Sequence, residues 1–214
     1  MKIFLTRSLL FFFLLINVSL VYSQVEESTN EITDSINLNR FSLGLKLGIP
    51  NVIGGTAEVL LPVLKNRVAP FLDYSRFNIE TNDLDTNLTY LEFGANLYFN
   101  EKGNGFFISL GQSQFNTNLV YYNLNFNDEI QSVTGTGAAK FNFTTTNLKL
   151  GIKTKDTFYF RFEVGFGFGN IPDFIEFTAT EKNIVQNFSE KLPPIPGVNS
   201  SGIIIGNIGF GTSF

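Results

Sequence analysis

The chain of 214 residues has no Cys, no His, no Trp and a single Met. Without Cys there can be no disulfide framework, no thiolate nucleophile and no lipidated Cys. Without His or Cys the usual zinc ligands are missing, and so are the imidazole-based nucleophile pairs of hydrolases. No catalytic residue, metal ligand or cofactor is therefore assigned. Charge is also scarce, at 16 % of residues, and its balance is acidic, with a pI near 4.9. A nucleic-acid partner is excluded on that ground, since such binders carry a basic patch. What the chain has in quantity is Phe, with 25 copies, and Gly, with 19.

Lys2 and Arg7 are the only charges before Glu26, and the run "LLFFFLLI" separates them from Val21-Tyr22-Ser23. A positive start, a short apolar centre and a small residue at the cut describe a secretory signal peptide over residues 1–23. The run is short of the roughly 20 apolar residues a spanning helix needs. Cleavage after Ser23 removes both bases and leaves 13 basic and 19 acidic side chains, a net charge of −6. Residues 24–39, "QVEESTNEITDSINLN", carry four acids, no base and no aromatic. They read as a flexible acidic leader.

From Arg40 to Phe214 the chain repeats one theme, segments of about ten residues in which apolar side chains alternate with small or polar ones. That is the period of strands. Phe41, Leu43, Leu45, Leu47 and Ile49 alternate with Ser42, Gly44, Lys46 and Gly48. Phe158, Phe160, Phe162, Val164, Phe166 and Phe168 alternate with Tyr159, Arg161, Glu163, Gly165 and Gly167. Eight segments of this kind are present. Phe71 and Phe107 fall on the polar face, and Ile203 and Ile205 blur the start of the last segment.

Alternation alone suits two architectures. A soluble secreted barrel turns its apolar face inward and carries an apolar ligand. A membrane barrel does the reverse. The polar face decides between them. A wetted surface is rich in long charged side chains, whereas here that face is Gly, Ser, Asn and Thr, which suits the crowded inside of a narrow barrel. The connections agree. "PVLKNR", "NEKGNG" and "KTKD" are short turns, while the stretches around "FNIETNDLD", after Gly111 and after Phe168 are long. Short turns on one side and long loops on the other mark an outer-membrane barrel. The expected fold is all-β, a closed antiparallel eight-stranded transmembrane barrel over residues 40–214, with short periplasmic turns and long extracellular loops. An even strand number puts both ends on the periplasmic side.

On these segments the chain resembles the small eight-stranded outer-membrane β-barrel family, which includes the OmpA transmembrane domain, OmpX-like proteins and barrel-domain proteins common in Bacteroidota. The ending "NIGFGTSF" is its best local match: Asn207, Gly209 and Phe214 fit the family's assembly signal, and Thr212 departs from it. The resemblance implies the outer membrane of a Gram-negative bacterium, contact with outer-membrane lipid and insertion by the barrel-assembly machinery. The family's enzymes rely on His, which this chain lacks, so the resemblance implies no enzyme.

The facing assignment sends seven charges inward: Lys46, Glu58, Asp73, Glu92, Lys149, Arg161 and Glu163. One of them buried alone would cost several kcal/mol, so they must pair or stay hydrated. Two readings follow. Either a network of ion pairs fills the barrel, or the charges form a gate in a channel or port for small or lipidic solutes. An eight-stranded barrel is barely wide enough for its own side chains, which favours the first. The function expected is then structural, or surface interaction with an extracellular protein through the long loops. One such loop reads as a protruding hairpin: apolar alternation resumes at Val120, Tyr122, Leu124 and Phe126, and again near Phe141 and Phe143, with "QSVTGTGAA" expected at the tip. Asp83 with Asp85, and Asp128 with Glu129, lack the ligand spacing of a calcium loop and read as solvated charge.

Overall fold

Period-two patterning leaves each segment only one way to present a uniform face, and the chain takes it. The computed structural model describes residues 38–127, 132–181, 184–191 and 197–214. Its strands are β1 (Phe41–Ile49), β2 (Val52–Val59), β3 (Val68–Glu80), β4 (Leu84–Tyr98), β5 (Gly105–Asn127), β6 (Ser132–Lys153), β7 (Phe158–Phe168), β8 (Phe174–Glu181), β9 (Ile184–Lys191), β10 (Val198–Asn199) and β11 (Gly202–Ser213). Among the described residues there is no helix.

Strands β1 to β7 pair in sequence order, each antiparallel to the next. β11 then pairs with β7 on one side and β1 on the other, which closes an eight-stranded barrel. The backbone of Phe214 seals the seam, since Phe41 N–H donates to its carbonyl at 2.9 Å and its own N–H donates to Phe41 at 2.8 Å. The two rings stack beside this seam, 6.2 Å apart. Leu38 packs against the buried cluster of Leu60, Ala69, Tyr98 and Phe107. The side chain of Asn39 donates to the Ser213 carbonyl. Residues 1–37, with the cleavage site and nearly all of the acidic leader, lie outside the described residues.

The barrel is inside-out. Leu43, Leu45, Leu72, Phe93, Leu150, Phe160 and Phe162 are exposed on its outer wall, while Lys46, Glu92, Lys149 and Glu163 are at most 1 % exposed. A soluble carrier would have the opposite arrangement. Exposed Phe41, Phe99, Phe106, Phe158 and Phe214 sit at the short-turn end, where a membrane barrel carries an aromatic girdle.

The long connections are built differently from the loops expected. β3 and β4 continue to Glu80↔Asp85, so "FNIETNDLD" is mostly strand. β5 and β6 pair from Gly105↔Lys153 to Asn127↔Ser132, with a register shift between Tyr121 and Leu124. The protruding hairpin is thus present, but Ser132–Ala139 of "QSVTGTGAA" are paired strand, not tip. Residues 128–131, including Asp128 and Glu129, lie outside the described residues. The connection after β7 folds into the β8–β9 hairpin, and β8 pairs with β6 at residues 136–139, beyond residues 140–145 from the point at Thr146 where β7 leaves it.

Candidate functional site: the ion-paired lumen

The inward parity of β1, β2, β3, β4, β6 and β7 delivers one or two charges each to the same layer, and the barrel's narrowness forces them together. The lower group centres on Glu58 of β2. Its carboxylate accepts from Arg161, from Asn96, from Lys153 Nζ at 2.8 Å and from the Tyr98 hydroxyl at 2.9 Å. The upper group centres on Lys46 and Lys149. Lys46 Nζ lies 2.6 Å from Asp73 and 3.0 Å from Glu163. Lys149 Nζ lies 2.9 Å from Glu92 and 3.7 Å from Glu163. Arg161 joins the groups, with Nη1 3.6 Å from Glu163. Hydroxyls and amides extend the network at both ends. Lys153 donates to Ser42 at 2.7 Å, and Tyr90 donates to Glu92 at 2.6 Å.

All seven charged residues expected inside lie in this layer, and an eighth joins them. Lys153 is 5 % exposed and bound to Glu58. It stands at the end of the "NLKLGIK" alternation, two positions beyond Gly151, and the parity of Lys149 and Gly151 was the signal for it. It is concealed because it is the first residue of "KTKD", which reads as a turn. With Lys153 included the layer holds four cations and four anions, so its formal charge is zero. That balance allows eight ionised groups to share a dry space, because no charge is left without an opposite.

The two inward phenylalanines that break the alternation belong to the same layer. Lys149 Nζ lies 4.5 Å from the centre of the Phe71 ring and Lys46 Nζ 5.3 Å from it. The Arg161 guanidinium lies 5.2 Å from the Phe107 ring. The rings act as apolar spacers that still favour cations on their faces. Glycines on neighbouring strands make room for them. A Cβ at Gly151 would run into the Phe107 ring and one at Gly94 into that of Phe71, while one at Gly111 would meet the Glu92 carboxylate first and then the Phe71 ring. Ile203 and Ile205 also point inward, 5 % and 1 % exposed. They belong above the charges, where Ile203 packs with Tyr90, Phe115 and Ile171.

The three positions of the terminal motif have packing roles of their own. Asn207 is buried on the inner wall. Gly209 pairs with Lys46 on one side and Arg161 on the other, and a Cβ there would be in van der Waals contact with both side chains and tight only against the Leu45 carbonyl, at 3.3 Å. Phe214 faces out at the seam.

Chemically, every ionised group of the layer is held by an opposite charge and is at most 5 % exposed, with Lys153 at the edge of the lower cavity. Cavities of about 410 Å³ below, beside Lys102, Lys153 and Asp156, and about 420 Å³ above are separated by it. Among the described residues no set of three acidic side chains is placed to hold a metal ion.

No family model matches the sequence, and no curated protein matches it. Among solved structures the chain is similar to CarO2 of Acinetobacter baumannii. The match covers 83 % of this chain and 99 % of that one, with 11 % sequence identity and a TM-score of 0.45.

Proposed function

We propose that the protein is an integral outer-membrane barrel without enzymatic activity, that its lumen is plugged, and that its work is done at the extracellular end, where a protein partner meets the sheet formed by β3 to β6 with β8 and β9. The observation that carries this reading is the neutral layer of eight paired charges across the lumen. A pore would need hydrated, accessible charge on its wall, and these groups are used up on one another. The signal peptide at residues 1–23 supports export from a Gram-negative cytoplasm. The motif of Asn207, Gly209 and Phe214 supports delivery to the barrel-assembly machinery, as in the OmpA and OmpX-like proteins it resembles.

The test is electrical. Full-length protein reconstituted in a planar bilayer should give no steady single-channel current. Stable ion currents that Glu58→Gln alters would replace the plugged scaffold with a port. Crosslinking on intact cells from cysteines introduced at Asn142 and Asn187 should capture a protein at the extracellular sheet. If only lipid is captured, the partner reading fails.

A further inference from the structure

The wall of this barrel has uneven height. β1 and β2 end at the turn through Pro50 and Asn51, with their last outer pairings at Ile49↔Gly206 and Gly54↔Ser75. On one side of that turn β11 climbs on to Gly202, paired with β7, and on the other β3 and β4 climb to Glu80↔Asp85. The result is a notch in the wall above β1 and β2. Behind it lies the upper cavity, of about 420 Å³, a volume in the range of small-molecule sites. Leu88, Phe115, Phe143 and Ile203 are among the side chains that line it.

Three features say what fits there. The lip of the notch is apolar and continuous with the outer belt, because Ile49 and Val52 line the cavity and are also 48 % and 43 % exposed on the outside. The lip is held at a conformational cost. Val52 has φ 53°, a left-handed backbone that β-branched residues avoid and that Gly or Asn would adopt freely. An apolar side chain kept at such a position points to a use for it. Inside, Thr117 is 5 % exposed and its Oγ1 has no hydrogen-bond partner, although it lines the cavity. Buried hydroxyls are normally satisfied. The cavity thus offers a greasy volume reached from the lipid side, with one unpartnered hydroxyl in its wall that is itself shut off from solvent.

We infer that this cavity binds the acyl chain of a membrane lipid, which enters laterally over the Val52 lip. The charged layer below keeps the chain from passing further, so the site binds and does not transport. The inference rests on the barrel spanning a membrane, and the experiment tests that separately.

The protein has no Trp, so one introduced Trp is a clean reporter. Full-length Phe143→Trp in vesicles of phospholipid brominated along its acyl chains should lose about half of its emission or more, as a site at least half filled requires. Adding Val52→Asp should restore the emission. Leu150→Trp, on the outer wall, should be quenched in either background. If Leu150→Trp is not quenched, the membrane reading itself fails. If it is quenched while Phe143→Trp is not, or if Val52→Asp leaves the quenching of Phe143→Trp intact, the lateral site is overturned. Quenching by brominated fatty acid added from water, with brominated phospholipid silent, would likewise overturn the membrane source. Phe141→Trp serves as reporter if Phe143→Trp does not fold.

Discussion

The lower and upper halves of β5 and β6 follow opposite rules on the same continuous strands. In the lower half of β5, Phe106, Ile108 and Leu110 face out while Phe107, Ser109 and Gly111 face in. From Gln112 upward the outer positions are Gln112, Gln114, Asn116 and Asn118, and the inner ones are Ser113, Phe115, Thr117 and Leu119. β6 changes in the same way. Leu148, Leu150 and Ile152 face out in the lower half, and Lys140, Asn142 and Thr144 in the upper. Up to the register shift at Tyr121 the period does not break, yet the polarity of the two faces exchanges. The lower half is solvated by lipid outside and by its own ion pairs inside. The upper half is an ordinary water-soluble sheet, with Phe177 and Ile175 of β8 packed on Ala139 beside Tyr121 and Phe141. One hairpin therefore records the edge of the membrane as the level where its grease changes sides.

Substitutions can break this contrast, and the largest effect belongs in the charged layer. Lys149→Glu would set a third acid against Glu92 and Glu163, now 2.9 Å and 3.7 Å from the lysine. The loss should exceed the roughly 3–5 kcal/mol of a single broken buried pair. The expected result is a chain that fails to show the compact, unboiled gel band of a closed barrel. Glu58→Gln keeps the shape but leaves Lys153 without its anion and Arg161 with only the more distant Glu163. Denaturant titration in detergent micelles should show a fall of about 3–5 kcal/mol, as for one buried pair. Next comes a matched pair on the outer wall of β6. Leu150→Lys should cost about 2–4 kcal/mol in lipid vesicles, as for a lysine facing the bilayer midplane. Thr144→Lys, three outward positions higher, should stay within about 0.5 kcal/mol of the parent. Equal costs would erase the boundary between the halves. A loss somewhat below that of Leu150→Lys belongs to Gly151→Ala, which meets the Phe107 ring and should cost about 1–3 kcal/mol. Phe107→Leu in the same chain should recover part of that loss, and purely additive costs would mean the two do not touch.

Much of the lower half can be read from the sequence, because there each residue's parity gives its face and the charge content of the polar face tells which face is inside. Lys46, Glu58, Asp73, Glu92, Lys149, Arg161 and Glu163 all follow from that rule. Lys153 obeys it too but is hidden at a strand end, where pattern gives way to turn composition. Phe71 and Phe107 read as exceptions because their reason lies on other strands: the glycines that receive their rings are brought alongside only by register, which alternation does not encode. Ile203 and Ile205 read as noise for a similar cause, since they sit where the lumen turns from charged to apolar. The upper half is the least legible. Its strands look like long loops because Asn, Gln and Thr dominate their outer face, and a two-residue period cannot say which side is wet. The notch above Pro50 is a difference in strand length between neighbours, visible only once the barrel is closed.

Facing is the claim on which all else depends, and a chain with no Cys allows it to be measured directly. Single cysteines placed in turn from Lys140 to Ile152, each spin-labelled in lipid vesicles, can be compared for collision with oxygen, which favours lipid, and with a water-soluble nickel complex. Leu148, Leu150 and Ile152 should collide with oxygen, Lys140, Asn142 and Thr144 with nickel, and Asn147, Lys149 and Gly151 with neither. Nickel reaching Lys149 while Leu148, Leu150 and Ile152 are shielded from both would contradict the account, since it would put the charges in water and the grease at the centre.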